Sequence, residues 1–229
     1  LGAGLGCHNV FSQASVKTVP PSRSVHYTRV KRVLDALGGF LALVALSPAI
    51  VLVALVVLAL DGRPVFFFQK RPGLGAQTFI LIKFRTMAGT PSANSGDETR
   101  RITPLGRRLR SLSLDELPSL WNVLRGDMSF IGPRPLLLNY VEIFSSHHAR
   151  RHLVRPGLTG LAQVSGRNFL SWKERLDLDV TYVDSLSLLT DIKILSRTIK
   201  VVFLRRGINQ MNGLIMEPLR EGYDSQAER

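Results

Sequence analysis

The longest apolar stretch in the chain is an uncharged run of 25 positions, Ala36 to Leu60, dominated by Leu, Val and Ala. A helix needs roughly 20 such residues to cross a bilayer, so this one is long enough to enter a membrane. It is too long for the core of a cleavable signal, and more than thirty residues precede it. Ser47-Pro48 lies near its middle. Proline inside a helix removes a backbone hydrogen bond and clashes with the preceding turn, which predicts a break there. The neighbouring serine hydroxyl can take up the carbonyl so freed. Arg23, Arg29, Lys31 and Arg32 precede the run, and Arg63, Lys70 and Arg71 follow it. A simple crossing concentrates positive charge on one side, whereas here both ends are basic. The pattern therefore predicts a re-entrant helix-break-helix over 30–62, with a Pro-kinked spanning helix as the alternative.

Around that segment the patterning divides the chain into four parts. Residues 1–29 lack periodicity and read as a mobile leader. In 63–207, two short apolar runs, Val65–Phe68 and Phe79–Ile82, flank a turn signal at Arg71–Gly75 and predict a β-hairpin. Thr90 to Glu98 is small and polar, hence a loop. From Leu105 the pattern turns helical, with Leu117, Leu120, Trp121 and Leu124 at three-and-four spacing. Pro118 fits the first turn of that helix and Asp115 its N-cap. Further helices are expected over Leu136–Leu153, Trp172–Leu186 and Asp191–Arg205. The residues 208–229 form a tail with little pattern. These elements describe a mostly helical α+β fold.

Composition narrows the chemistry. Of 229 residues 45% are hydrophobic, enough for a core, while 30 Lys and Arg against 17 Asp and Glu leave a net charge of +13. An anionic partner is implied: lipid headgroups, nucleic acid or a phosphorylated small molecule. The single cysteine, Cys7, excludes a disulfide framework and a Cys-rich zinc site. Nucleic acid is disfavoured, because the apolar run argues against it and no readout element is present.

Between Arg63 and Arg134 stand twelve Lys or Arg and only five Asp or Glu. Lys83 with Arg85, Arg107 and Arg108 with Arg110, and Arg134 between two prolines suit phosphate capture on rigid backbone. Among them sits one adjacent carboxylate pair, Asp115-Glu116. A carboxylate ringed by cations is expected to keep a low pKa and to act as nucleophile or metal ligand. The competing structural reading makes Asp115 a helix cap and Glu116 a complement to the helix dipole. His147, His148 and His152 resemble a metal cluster, but only Glu142 is suitably spaced, and a polar face beside anionic headgroups is the preferred reading.

The ordered motifs resemble the bacterial sugar transferases, the monotopic polyprenyl-phosphate phosphoglycosyltransferases. The resemblance rests on Lys31-Arg32 with Asp35, on Ser47-Pro48, on Phe68-Gln69-Lys70-Arg71-Pro72-Gly73 and on Lys83-Phe84-Arg85-Thr86-Met87. It continues through the long string Ser113 to Ser129, then Gly132-Pro133-Arg134-Pro135, Arg155 to Asn168 and Asp179 to Val183. It covers about three quarters of the chain. Ser119 departs from it, standing where a glutamine is common, and Lys70 adds a second basic residue before the turn.

The resemblance implies transfer of a sugar-1-phosphate from a UDP-sugar to undecaprenyl phosphate, with release of UMP, at the cytoplasmic face of the bacterial inner membrane. It implies Asp115 as the nucleophile that forms a phosphosugar-aspartate, and Glu116 as the ligand of Mg2+. Lys83, Arg85, Arg110 and Arg134 would hold phosphates, with Asp179 near the site. Membrane lipids are expected partners, and homodimer formation stays open. The chain reads as a short form or as the catalytic part of a longer enzyme. A different class competes with this reading: a non-catalytic membrane-docking module that binds nucleotide or acidic polymer.

Overall fold

A computed structural model describes residues 22–89, 101–166, 170–203, 219–220 and 222–223. The chain opens on a long helix, α1 (Ser22–Leu60), followed by a hairpin of β1 (Phe66–Pro72) and β2 (Thr78–Phe84). Next come α2 (Pro104–Ser111), a 3-10 turn over Leu114–Ser119, α3 (Leu120–Arg125) and β3 (Ser129–Ile131). Short turns lead through α4 (Ser146–Ala149) to β4 (Gly157–Thr159) and α5 (Leu161–Ser165). Two longer helices, α6 (Trp172–Asp184) and α7 (Leu188–Phe203), complete the described fold. It is mostly helical with two small sheets, an α+β arrangement.

Two sequence expectations change here. Helix α1 begins at Ser22, so residues 22–29 of the expected leader belong to it. The helix expected over 136–153 is a chain of short turns instead. Ser145 starts a new one by accepting the amide of His148. The Thr90–Glu98 loop, residues 1–21 and most of the tail lie outside the described residues. Leu219 and Tyr223 of that tail are buried against Tyr140 and Leu176.

Helix α1 is an apolar rod with polar anchors. Within its stretch from Tyr27 to Leu60 an 18-residue window reaches a mean hydropathy of 3.0, yet only 6% of that window is buried. A helix this apolar and this exposed is not the core helix of a soluble protein; it is suited to lipid. The break expected at Ser47-Pro48 is absent, for α1 runs without interruption through Pro48, and the Ser47 hydroxyl donates to the Val44 carbonyl at 2.8 Å. That carbonyl is the one Pro48, lacking an N–H, leaves unbonded.

Both halves of α1 touch the same body. On the N-terminal half, Arg32 donates to the carbonyls of Val123 and Leu124 at 2.8 and 2.7 Å, closing the end of α3. Asp35 accepts the Phe130 amide, and Lys31 pairs with Asp191 at 2.6 Å. Lys31 and Arg32, part of the basic flank before the apolar run, thus engage the protein itself. On the C-terminal half, Val57 is fully buried with Phe84 and Leu109, flanked by Ile50, Val53 and Ala54. Between these contacts Phe40, Leu41 and Val44 stand exposed.

The expected hairpin is present: β1 and β2 are antiparallel, with Phe66 opposite Phe84 and Pro72 opposite Thr78. Strand alternation puts Phe79, Leu81 and Lys83 on one face. Phe79 and Leu81 enter a core with Val123 and Met128, which leaves Lys83 at the rim. The second sheet is parallel, pairing Ser129 with Gly157 and Ile131 with Thr159. Its strands meet so closely that a Cβ on Gly157 would lie 2.1 Å from the Gly132 nitrogen.

Candidate active site

The free edge of β2 organises the site. Asn122 donates to the Ile80 carbonyl at 2.7 Å and accepts the Ile82 amide at 3.1 Å, while the Ser119 hydroxyl donates to the Ile82 carbonyl at 2.6 Å. Buried side chains from the start of α3 therefore do what a third strand would do. Unsatisfied backbone groups at such an edge would be costly, so these bonds fix the 3-10 turn against the strand. The chain enters that turn through Ser113, at φ 57°.

The turn delivers Glu116 to Lys83. Glu116 Oε1 accepts from Lys83 Nζ and from Arg134 Nη2, both at 2.6 Å. Burial alone would raise the Glu116 pKa, but Arg134 and Lys83 outweigh it and hold it at about 2. Among the described residues Oε2 makes no hydrogen bond or ion pair.

Asp115 differs from its neighbour. Its side chain caps no helix and makes no hydrogen bond or ion pair among the described residues. Burial, then the charge of Glu116, raises its pKa, against the pull of Lys83, Arg134 and Arg110. The low pKa expected from its cationic surroundings applies to Glu116 and not to Asp115. The two adjacent carboxylates are pushed apart, one locked as an anion and the other unbonded beside cations.

Arg110 stands on α2, near enough for its charge to favour the ionised form of Asp115. Its Nε donates to Thr86 Oγ1 at 2.9 Å. Helix α2 sits hard against that strand extension, since a Cβ at Gly106 would lie 2.1 Å from the Thr86 carbonyl oxygen. Arg134 comes from the extended Pro133–Pro135 segment, where each residue before a proline is kept out of the helical region.

Two of the expected site residues, Arg85 and Asp179, stand outside the cleft beside Glu116. Arg85 donates to the carbonyls of Asp61, Gly62 and Arg63, tying the end of α1 to the end of β2. Asp179 is buried in an ion pair with Arg151 at 2.7 Å. Arg151 also donates to the Arg134 carbonyl at 2.7 Å, so Asp179 reaches the site only through that arginine.

The cleft beside Glu116 is lined by Lys83, Glu116 and Arg134, with Leu136 and Leu158 as apolar wall. Arg71 also lines it and was not among the expected site residues. The hairpin register puts Arg71 on the face of Lys83, and it donates to the Pro135 carbonyl at 3.2 Å. Burial and then Arg134 lower its pKa to about 10. Three cations against one ionised carboxylate make the cleft a receptor for an anion carrying more than one charge.

The carboxylate dyad set among cations and the long, exposed apolar helix thus belong to one chain, and together they suit a membrane-associated protein with an anionic ligand. Residues 26–205 match the family described as bacterial sugar transferase, and the chain belongs to that family. It is 45% identical to an uncharacterized sugar transferase, EpsL, of Bacillus subtilis, over 82% of this chain and 94% of that one. It is 42% identical to the exopolysaccharide production protein ExoY of Sinorhizobium fredii, over 77% and 87%. It is 40% identical to a UDP-glucose:undecaprenyl-phosphate glucose-1-phosphate transferase of Caulobacter vibrioides, over 74% and 68%.

Proposed function

We propose that this protein transfers a sugar-1-phosphate from a UDP-sugar to undecaprenyl phosphate and releases UMP, with Asp115 as nucleophile. The observation that carries the reading is the division of labour in the dyad: Glu116 is locked by two cations, while Asp115 is left unbonded beside them. A carboxylate oxygen of Asp115 attacks the phosphorus that bears the sugar. The bond from that phosphorus to the bridging oxygen breaks, and its electron pair leaves with UMP. An oxygen of the lipid phosphate then attacks the same phosphorus, and the bond to Asp115 breaks to restore the carboxylate. No proton donor is required in either step.

Lys83, Arg134, Arg71 and Arg110 bind and orient the phosphates and offset charge that builds on them, which is most of what phosphoryl transfer asks of a protein. The donor set suits Mg2+, which usually takes one or two carboxylates and fills its sphere with water and phosphate oxygens. Glu116 would hold it through Oε2, and a bound ion would supply further neutralisation of the phosphoryl oxygens.

The membrane reading rests on exposure. In α1 the apolar face is uncovered, and in α7 Leu188, Leu189, Ile192, Leu195 and Ile199 are exposed at helical spacing. Both halves of α1 contacting one domain support a re-entrant segment over 30–62 that enters and leaves by the cytoplasmic face of the inner membrane. The residues 63–207 then form the catalytic unit, with its cleft level with a lipid phosphate.

The test is UMP release by detergent-solubilised protein with Mg2+, undecaprenyl phosphate and a panel of UDP-sugars, beside Asp115→Asn. Release with at least one sugar, abolished in the variant, supports the reading. Folded, lipid-bound protein that releases UMP with none of them would return the non-catalytic docking module.

A further inference from the structure

Outside the cleft, α4 and α6 bring three metal-competent side chains together. The ligand atoms of His147, His148 and Asp177 all lie within 4.8 Å of one another. His148 Nε2 is 2.8 Å from Asp177 Oδ1, and His147 Nε2 is 3.8 Å from that same oxygen. Tetrahedral zinc, with ligands at roughly 2.0–2.1 Å, separates its donors by about 3.4 Å. Shifts within the reach of an exposed imidazole therefore close the set around one ion.

The surroundings of the cluster orient its donors. His148 is buried, and its Nδ1 lies 2.8 Å from the Tyr223 hydroxyl and 3.1 Å from Ser145 Oγ. At 2.8 Å His148 Nε2–H donates to Asp177 Oδ1; with the proton moved to Nδ1 and donated to the Tyr223 hydroxyl, Nε2 would turn its lone pair to an ion, the usual outer-shell arrangement for a metal-binding histidine. Lys173 Nζ holds the other carboxylate oxygen, Asp177 Oδ2, at 3.1 Å, so Oδ1 faces the imidazoles. His147 and Asp177 are 55% and 40% exposed, which leaves a side open for entry and for a water as fourth ligand. The lysine, itself 38% exposed, is free to turn its charge toward solvent.

We propose that His147, His148 and Asp177 form a binding site for a divalent transition-metal ion, best matched by zinc, that fastens the segment carrying Tyr223 to α4 and α6. Two imidazoles and a carboxylate suit zinc, whereas magnesium prefers an all-oxygen octahedron. The site is separate from Glu116 and does not depend on the reaction proposed above. Its structural consequence follows from Tyr223: fixing the His148 ring fixes the hydroxyl it holds, and with it the packing of Leu219 and Tyr223 on Tyr140 and Leu176. His152, grouped in the sequence with His147 and His148, lies apart, its ring tilted against Phe144. The missing carboxylate comes from α6, twenty-nine residues beyond His148.

The experiment uses the full, tag-free chain in detergent, stripped with a chelator and titrated with Zn2+ by calorimetry and with Co2+ by visible absorption. Wild type is compared with His147→Ala, Asp177→Asn and, as a control outside the cluster, His152→Ala. The expected result is one ion per chain, four-coordinate Co2+ bands and a melting temperature raised by Zn2+. His147→Ala should weaken binding by about tenfold or more, since even outer-shell losses cost 10–100-fold. His147 is exposed, so its variant folds even if Asp177→Asn does not. Failure of the wild type to bind, or binding by His147→Ala as tight as by wild type, overturns the proposal. The latter result would place the ion on another donor such as Cys7, His8 or His26.

Discussion

The Arg151 guanidinium donates at once to Asp179 and to the backbone carbonyl of Arg134, each at 2.7 Å. Side chains of both members of the ion pair are almost fully buried, at 2% and 6% exposed. Desolvation pushes the Asp179 pKa up and Arg151 opposes it. The pair thus clamps, from behind, the residue that grips Glu116 from the front.

This makes Asp179 a positioning residue. Asp179→Asn leaves a buried cation unpaired, at a cost of about 3–5 kcal/mol in stability. It should lower the melting temperature and raise the KM for the UDP-sugar more than it lowers kcat. Replacing both partners with apolar residues should restore most of the stability while leaving the KM high. Equal kinetics in wild type and the single variant would remove the role.

The Lys83–Glu116–Arg134 contact carries a pH signature. Glu116 titrates at about 2 in the fold against an ordinary 4.5, so between those values the unfolded chain binds more protons than the folded one. Its contribution to stability is complete above pH 4.5 and is lost as pH falls toward 2. Asp115 has the opposite sign: its raised pKa favours the neutral form in the fold, so its contribution shrinks as pH rises through that value. Acid unfolding followed by circular dichroism should show a shallower loss for Glu116→Gln than for wild type in this window. Activity of the wild type should rise on the acid side with ionisation of Asp115, a limb that Glu116→Gln does not remove from any residual turnover.

Much of the site was legible because its parts are local. The apolar run Phe79–Ile82 announced the strand that carries Lys83, and the two prolines around Arg134 announced a rigid segment. Arg85 misled because it stands two residues from Lys83, the spacing of one strand face, yet β2 ends at Phe84 and Arg85 meets the end of α1. Arg151 and Arg71 were hidden for a different reason. Their roles depend on contacts with Asp179, Arg134 and Pro135, 17 to 64 residues away, which no local period encodes. Asp115 looked like a helix cap because the helical pattern starts there, but the first turn is 3-10 and its entry residue is Ser113.

Asn122 is the test of how β2 holds the dyad. Asn122→Ala leaves the Ile80 carbonyl and the Ile82 amide without partners, a loss of about 1–3 kcal/mol for each group. Asn122→Asp keeps the acceptor for Ile82 but cannot donate to Ile80 while ionised. Both should speed amide exchange at Ile82, Asn122→Ala more than Asn122→Asp. Both should also reduce UMP release by about tenfold or more, because a shift of an ångström at the dyad is expensive. Unchanged exchange at Ile82 would show that the edge is held by other means.

The exposed face of α1 is the last element to test. Leu41 and Leu52 are 64% and 63% exposed and lie on either side of Pro48. A lysine or arginine deep in a bilayer costs about 2.5–3.5 kcal/mol, so Leu41→Arg and Leu52→Arg should each lower the partition into liposomes by flotation. Neither residue joins a core cluster, so both variants should keep the wild-type melting temperature in detergent. Topology is read separately, from single cysteines placed at Arg29 and at Arg63 in a Cys7→Ser background. If the segment re-enters, a membrane-impermeant thiol reagent applied to spheroplasts labels neither site and labels both in inverted vesicles. Labelling of one site from each side would establish a spanning helix and move the leader across the membrane. Pro48→Leu restores the N–H that the Val44 carbonyl lacks, and it should shift the re-entrant pattern toward the spanning one.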